Sequence, residues 1–253
     1  MQALRSLVLA FSSFSRIPMP CVEATEQDRR YSLCFFPLVG AAVALVMALW
    51  LWMCDALRVG ALLRGAIGAA LPLLVTGGIH MDGFMDTSDA LATWQSKERR
   101  LEILKDSHVG AFAAMRAAMY LLVMAGLLSE ATLRAAPLVG MCFVASRALS
   151  AWTSVRFTRA RPNGMLDDLA RPARMRAVEA SSALYVAACA VVWAICGGWI
   201  CALCAATAAL CTIAYRRMAY AKFGGVTGDL AGWLLQVTEL CCVAAVVLGG
   251  KIL

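Results

Sequence analysis

The chain has 253 residues, of which 62% are hydrophobic and only 15% are charged. With a mean hydropathy of +0.74, it carries far more apolar surface than one soluble core can bury, which excludes an ordinary soluble domain. The formal net charge of +7 is spread over short loops between apolar runs, where attraction to anionic lipid is its usual role. We therefore expect a lipid bilayer around the chain and no nucleic-acid partner.

The first fifteen residues predict an amphipathic helix. Their apolar residues recur at helical spacing, opposite Arg5 and several serines. Because Arg5 is the only charge and no small-residue cleavage site follows, we do not expect a cleaved signal peptide. The sequence predicts a helix that lies in the membrane interface or re-enters the membrane. Its apolar face consists of Leu4, Leu7, Val8, Phe11 and Phe14.

Seven further segments are apolar enough to cross a membrane. Residues 31–54 contain no charge over 24 residues, and about 20 suffice to cross the hydrocarbon core. The uncharged run between Glu179 and Arg216 is long enough for two helices, separated at Gly197-Gly198. The other predicted spans are residues 65–81, 108–129, 137–155 and 230–250.

The predicted fold class is therefore all-α: a polytopic membrane bundle of about seven transmembrane helices plus the N-terminal helix. No repeat or long linker divides the chain, so we expect a single domain over residues 1–253. With the N-terminus in the cytoplasm, loops 82–106, 156–179 and 216–229 lie inside, together with 17 of the 23 Lys and Arg residues. That bias follows the positive-inside rule and predicts that every motif-rich loop faces the cytoplasm.

The segment TGGIHMDGFMDTSDAL, residues 76–91, is the richest in chemistry. If it is helical, Asp82, Asp86 and Asp89 stand on one face at i, i+4 and i+7. Carboxylates crowded in this way repel one another, and oxygen-rich clusters suit Mg²⁺ bridging to substrate phosphates. We predict a magnesium and pyrophosphate site. The alternative is a solvated acidic helix start.

The residues beside these aspartates allow several interpretations. In the alternative without a metal, Gly77, Gly78 and Gly83 only end one helix and begin the next. His80 is suited to ligate a metal, to donate to a phosphate oxygen, or to hydrogen-bond the backbone. The sequence leaves these roles of His80 open.

A second segment is Lys105-Asp106-Ser107-His108, at the start of the predicted span 108–129. Lys105 can neutralise phosphate, and Asp106 can add a metal ligand or act as a general base. Without such a role the segment is an ordinary capped helix start, with Asp106 or Ser107 as the N-cap.

A third segment precedes the last span. Gly224, Gly225 and Gly228 surround Thr227 and lead to Asp229, and such a loop can expose backbone amides to an anion. Asp229 alternatively serves only as an N-cap.

Two polar residues lie within the last span itself. Gln236 and Glu239 follow Asp229 in an otherwise apolar run. An ionised carboxylate at that depth needs a partner, and Arg116 and Arg147, within other spans, are the available counter-charges.

In this order the motifs resemble those of the cobalamin synthase family. The acidic stretch resembles the family pattern TGGLHxDGxxDTxDAL and differs from it only at apolar positions. The resemblance extends from the N-terminus to the last span. It rests on Arg16-Ile17-Pro18, FPLVG at 36–40, residues 76–91, residues 105–110, Ser146-Arg147 and residues 224–229.

The resemblance implies a Mg²⁺-dependent adenosylcobinamide-GDP ribazoletransferase in the bacterial inner membrane, with a cytoplasmic active site. Such an enzyme joins adenosylcobinamide-GDP to α-ribazole or its 5'-phosphate, in the nucleotide loop assembly of vitamin B12. GMP leaves, and the product is adenosylcobalamin or its 5'-phosphate. A homo-oligomer, or a complex with other cobalamin-assembly enzymes, is compatible with this role.

The resemblance also implies roles for individual residues. The catalytic group comprises Asp82, Asp86, Asp106, Lys105 and His80, and the metal ligands are Asp82, Asp86 and Asp89. The substrate-binding group comprises Arg16, Gly77, Gly78, Ser107, Arg147, Gly224, Gly225, Thr227, Asp229, Gln236 and Glu239.

Two other functions compete with this interpretation. A CDP-alcohol phosphotransferase also uses membrane-embedded aspartates and Mg²⁺, but Asp82-Gly83 is not followed by the Ala-Arg of its usual pattern. A transporter would explain Arg116, Arg147 and Glu239 within spans. Its polar groups are expected near the bilayer midplane, whereas these motifs are predicted at one surface.

Overall fold

A computed structural model describes residues 2–106, 108–161 and 165–251. The described residues form helices joined by short segments, and the single isolated β-bridge pairs Arg159 with Val226. In chain order the helices are α1 (Gln2–Phe14), α2 (Glu26–Ala56), α3 (Ala61–Thr76), α4 (Ile79–Ala92), α5 (Lys97–Ile103), α6 (Ala111–Ser129), α7 (Ala136–Arg156, preceded by a 3₁₀ turn at Leu133–Ala135), α8 (Met165–Ala170), α9 (Met175–Gly197), α10 (Ile200–Phe223) and α11 (Gly228–Gly249).

Six helices in the described part of the chain are long and apolar enough to cross a membrane, and the count is seven if the bent pair α3 and α4 forms one broken span. The six are α2, α6, α7 with its 3₁₀ turn, α9, α10 and α11. Large apolar side chains such as Leu45, Leu122 and Ile195 are exposed on the outer faces of these helices, as expected of surfaces that lipid covers. The predicted polytopic helical bundle is confirmed.

The predicted span over residues 65–81 is not one continuous helix, because the chain bends by 100° between α3 and α4. Gly77 and Gly78 have φ of 68° and 78°, a left-handed conformation that ends α3 and that residues with a side chain rarely adopt. Helix α4 therefore begins at Ile79 and takes a new direction. The acidic motif lies on this separate helix.

Helix α1 packs against the bundle, and whether it lies in the interface or re-enters the membrane stays a prediction. It runs alongside the first turns of α2: the Arg5 side chain pairs with Asp28 (Nε to Oδ2 3.1 Å), and the rings of Phe14 and Phe36 are 4.3 Å apart between centroids. Residues 15–25 then return without helical structure. The end of α1 thus reaches into the bundle.

Loops from all parts of the chain meet at one end of the bundle, called here the loop-rich end. It combines the starts of α2, α6, α9 and α11 with the ends of α4, α7 and α10. At the opposite end Lys251 pairs with Glu130 (2.8 Å). Contacts at the loop-rich end include Arg174 N to Arg30 O (3.0 Å), Val226 N to Thr158 O (2.9 Å) and Arg161 Nη1 to Leu101 O (3.1 Å).

Helices α2 and α7 pack through small residues. A Cβ atom at Gly40 would collide with the backbone carbonyl of Phe143, and one at Gly140 would lie 3.0 Å from the Cβ of Ala44. Such small-residue contacts let helices approach closely in membranes. Gly40 and Ala44 of α2 are therefore points of close approach to α7.

Candidate active site

Helices α4 and α11 touch backbone to backbone at the loop-rich end. A Cβ atom at Gly83 would lie 2.8 Å from the carbonyl oxygen of Asp229, and one at Gly232 would lie 3.0 Å from that of His80. Both positions therefore require glycine for this approach. The contact brings the acidic face of α4 beside the first turn of α11.

Four carboxylates converge there, from Asp82, Asp86, Asp89 and Asp229, and are called here the acid cluster. The charges of Asp82, Asp89 and Asp229 all act on Asp86. Asp82 is exposed and Asp86 partly buried, and within the described ranges neither side chain has a hydrogen-bond or ion-pair partner. The cluster is an excess of negative charge that a bound cation would relieve.

Asp89 differs from the other members, because both of its oxygens accept hydrogen bonds from the start of α6. Gly110 N donates to Oδ2 (2.6 Å) and Ala113 N donates to Oδ1 (2.8 Å). The N-cap of α6 is Gly110, so the alternative that Asp106 caps this helix is wrong. Ser107, also predicted as a cap and as a substrate ligand, lies outside the described residues. Asp89, a predicted metal ligand, thus uses its carboxylate to bind the N-terminus of α6.

A cavity of about 160 Å³ opens beside the acid cluster. Asp82 and Asp229 are at its rim, and its polar lining includes His80, Ser150 and Ser154. His80 is only 5% exposed, and its Nε2 atom has no hydrogen-bond partner among the described residues. The apolar walls include Phe14, Leu33, Phe36, Leu166 and Leu169.

Gly224 and Gly225 shape the chain instead of offering free amides. Gly224 has a φ of 79° and ends α10, while a Cβ at Gly225 would lie 2.7 Å from the amide nitrogen of Ala160. The N–H groups of Gly225 and Val226 already donate to Ala219 and Thr158 (3.2 and 2.9 Å). The prediction that this loop exposes amides to an anion is wrong for these two donors.

Thr227, not Asp229, is the N-cap of α11. Its side chain accepts a hydrogen bond from Leu230 N (3.3 Å), a usual role of threonine at a helix start. Asp229 lines the cavity, and its carboxylate oxygen Oδ2 lies 3.4 Å from Arg161 Nη2. Pairing between the loop after α7 and Val226 positions Arg161 for this contact.

Arg16, Gly77 and Gly78 lie at the bend between α3 and α4. The backbone N–H of Arg16 donates to Val75 O (2.8 Å). A Cβ atom at Gly77 would lie 2.5 Å from the Nε atom of Arg16. The Arg16 side chain is exposed. Together with Asp82, Gly77 and Gly78 line a shallow depression on the other side of α4. The sequence-based grouping of these residues with Asp82 agrees with this placement.

Lys105 and Asp106 lie in the exposed loop before α6 and do not line the cavity. His108 donates its backbone N–H to Asp106 Oδ1 (3.0 Å), and its ring Nδ1 lies 2.6 Å from the same atom. These hydrogen bonds hold the pKa of Asp106 below its usual range. Their catalytic roles remain predictions.

Arg147, Gln236 and Glu239 are buried within the bundle, deeper than the cavity lining. Arg147 pairs with Glu239, and Ser146 Oγ donates to the same carboxylate (3.2 Å). Arg116 instead donates to Ser88 O (3.2 Å). The counter-charge of Glu239 is therefore Arg147. Arg147 and Glu239 join α7 to α11. Neither these two residues nor Gln236 lines the cavity, and their contact with substrate stays a prediction.

Comparison with known proteins gives a consistent result. The sequence model described as cobalamin-5-phosphate synthase matches residues 6–247. A curated relative from Lachnoclostridium phytofermentans, named adenosylcobinamide-GDP ribazoletransferase, is 42% identical over 98% of this chain and 95% of its own length. Relatives of the same name from Desulfitobacterium hafniense and Ralstonia nicotianae are 34% and 31% identical, over 95% and 94% of this chain and 95% and 93% of their own lengths. No solved structure matches the chain.

Proposed function

The chain belongs to the cobalamin-5-phosphate synthase family, and we propose that it is an adenosylcobinamide-GDP ribazoletransferase. It joins adenosylcobinamide-GDP to α-ribazole or its 5'-phosphate, gives adenosylcobalamin or its 5'-phosphate, and releases GMP. The family match decides against a CDP-alcohol phosphotransferase and against a transporter. The observation that carries the mechanism is the acid cluster at the mouth of a cavity.

The donor set of the cluster fits Mg²⁺. Asp82 and Asp86 offer hard carboxylate oxygens without a protein cation beside them, and Mg²⁺ usually takes one or two carboxylates and completes its shell with water and substrate phosphates. No group of three or more His, Cys, Asp or Glu in the described ranges is arranged as a metal cage. A site of two carboxylates that is completed by the substrate pyrophosphate is compatible with this finding.

In this proposal Asp82 and Asp86 would hold the metal against the pyrophosphate, and Asp89 keeps α6 in place beside them. Bound Mg²⁺ supplies charge neutralisation for the pyrophosphate and for the departing phosphate of GMP. The exposed Arg16, and Arg161 beside Asp229, would bind further phosphate oxygens. Positioning of the two substrates by these residues then supplies much of the rate.

Asp229 is placed to accept the proton of the acceptor hydroxyl. Asp229 is one of the residues that line the cavity, and its carboxylate is paired with Arg161 (Oδ2 to Nη2 3.4 Å). The hydroxyl oxygen forms a bond to the phosphorus on the cobinamide side, the bond from that phosphorus to the oxygen of GMP breaks, and the proton passes to the carboxylate. Asp106, which the sequence offered as a metal ligand or a candidate base, does not line the cavity.

We place the loop-rich end in the cytoplasm of a bacterial inner membrane. Of the 23 Lys and Arg residues, 17 belong to segments at or near this end. Cytoplasmic loops carry such an excess of basic residues. The nucleotide substrates would reach the acid cluster from that side.

The direct test is an assay of the purified full-length protein in detergent with adenosylcobinamide-GDP, α-ribazole and Mg²⁺. We expect equimolar formation of GMP and adenosylcobalamin. Release of GMP without a new corrinoid product would indicate hydrolysis instead of transfer. Absence of both, from protein that is folded and monodisperse, would contradict the proposed function.

A further inference from the structure

His80 lines the cavity and carries a buried ring nitrogen without a hydrogen-bond partner. The side chain is 5% exposed, and Nε2 has no partner within the described ranges. A buried nitrogen without a hydrogen bond costs free energy, and it usually marks a site where a ligand or a water supplies the missing hydrogen bond. The ring is held by aromatic neighbours, with centroids 5.4 Å from Phe36 and 6.1 Å from Phe14. His80 is therefore preorganised to contact whatever fills the cavity.

The size and walls of the cavity suit a flat aromatic group. Its volume is about 160 Å³, and an apolar protein cavity of about 150 Å³ is known to hold benzene. Phe14, Phe36 and two leucines of α8 supply apolar surface, against which aromatic rings stack or pack edge to face. A cavity with apolar walls and few polar groups is typical of a small-molecule site.

The polar lining favours a base with a single hydrogen-bonding nitrogen. Ser150 Oγ already donates to Ala231 O (3.3 Å), and Ser154 Oγ donates to Ser150 O (2.7 Å). Asp229 is paired with Arg161 at the rim. Guanine carries several donors and acceptors on its edge. With Asp82 engaged at the metal site of the proposed function, most of them would stay unpaired here, which disfavours burial of guanine. A benzimidazole has one free ring nitrogen.

We propose that this cavity binds the benzimidazole-type base of the α-ribazole acceptor, with the N–H at His80 Nε2 donating to the free ring nitrogen. This inference rests on the proposed function. With the base inside, the ribose lies at the rim, beside Asp82 and Asp229. The acceptor hydroxyl is thereby presented to the acid cluster, and the cavity selects the acceptor by the size of its base.

The test changes the cavity volume in both directions. Leu166 lies on the short helix α8 and is partly exposed, so Leu166→Trp fills the cavity with little risk to folding. Leu169→Ala enlarges it. Leu62→Trp, at a position 87% exposed near the opposite end, is the matched control for adding an indole. The KM values for α-ribazole and adenosylcobinamide-GDP are measured separately for each variant.

We expect Leu166→Trp to raise the KM for α-ribazole at least about tenfold, with the KM for adenosylcobinamide-GDP unchanged. Leu169→Ala should shift the ratio of kcat/KM about tenfold toward a riboside of the larger naphthimidazole base. His80→Leu should raise the KM for α-ribazole about tenfold, and His80→Gln, which keeps a donor, should recover part of the loss. Leu62→Trp should behave as wild type.

Two outcomes would overturn the inference. If Leu166→Trp raises only the KM for adenosylcobinamide-GDP, the cavity holds the guanine base. If both KM values stay unchanged, the cavity holds neither base. Equilibrium dialysis measures the binding of α-ribazole without the corrinoid substrate. It therefore tests the cavity even if the protein lacks the proposed transferase activity. Binding that Leu166→Trp abolishes supports the inference even in a protein that releases no GMP, whereas unchanged binding in an active enzyme contradicts it.

Discussion

Gly83 of α4 lies directly against the backbone of Asp229 in α11: a Cβ atom at position 83 would lie 2.8 Å from the carbonyl oxygen and 2.9 Å from the Cα atom of Asp229. This contact sets the separation between Asp82 and Asp86 on one helix and Asp229 on the other. A methyl group at position 83 would collide with backbone atoms, and these cannot move aside by a change of side-chain rotamer. The geometry of the acid cluster therefore depends on the absence of a side chain at Gly83.

We predict that Gly83→Ala lowers kcat by about 100-fold in a protein that still folds, because a displacement of about 1 Å at a reacting centre costs that much. The assay is GMP release at saturating substrates. Gly126→Ala is the control, since it is also a helical glycine and a Cβ there meets nothing within 4 Å. It should keep the wild-type kcat and gain about 0.5–1 kcal/mol of stability. A wild-type kcat for Gly83→Ala would show that the close contact is not needed.

The acidic face of α4 could be predicted from the sequence, because the i, i+4 spacing of Asp82 and Asp86 is local to one helix. The role of Asp89 could not, because its donors come 21 and 24 residues later and only the fold brings them back. The two consecutive glycines Gly77-Gly78 were visible in the sequence, but their left-handed conformation and the resulting bend depend on the neighbouring helices.

Contacts between residues far apart in the chain were the hardest features to predict from the sequence. From the sequence, Arg116 and Arg147 were both candidate counter-charges for Glu239. Only the packing of the helices shows that Arg147 is the partner. The cavity combines residues from α1, α2, α4, α7, α8 and α11, so no local pattern describes it. The signal that pointed toward it was His80, a polar residue beside an apolar span.

The buried pair of Arg147 and Glu239 gives a prediction about stability. Each is 1% exposed, and removing one partner of a buried ion pair leaves an uncompensated charge at a cost of about 3–5 kcal/mol. Arg147→Met should therefore lower the unfolding free energy by about that amount, whereas Arg147→Met combined with Glu239→Leu should cost less than the sum of the two single changes. Denaturant titration in detergent measures this coupling.

The same variants test whether the pair contacts substrate. Protein that remains folded should keep the wild-type KM for adenosylcobinamide-GDP and for α-ribazole. A raised KM for either substrate would restore the sequence-based assignment of Arg147 and Glu239 to substrate binding.

Packing of α2 on α7 gives a second prediction about stability. Gly40→Leu forces a side chain into the backbone of Phe143, and such overpacking costs about 1–3 kcal/mol or more. We expect a lower melting temperature in detergent and a lower yield. Gly126→Leu places the same side chain on an exposed helix face and should melt like wild type. Equal melting of the two variants would argue against the close α2–α7 contact.

The cytoplasmic position of the loop-rich end is tested by thiol labelling. In a background without other cysteines, the exposed Cys21 should resist a membrane-impermeant maleimide applied to the periplasmic side of intact cells. A cysteine at exposed position 132, introduced as Thr132→Cys, should react from that side. Labelling of Cys21 from the periplasm would reverse the proposed orientation.

The most direct test of the metal-assisted transfer is GMP and corrinoid product formation across a Mg²⁺ titration, for wild type, Asp82→Asn, Asp86→Asn and Asp55→Asn. Asn keeps the shape of Asp and caps helices about equally well, so only the loss of metal-binding charge distinguishes the first two variants. We predict that both lose turnover on the order of 1,000-fold at Mg²⁺ concentrations that saturate the wild type, while Asp55→Asn, at the opposite end, matches the wild type. Wild-type rates for Asp82→Asn and Asp86→Asn at ordinary Mg²⁺ would contradict the metal site.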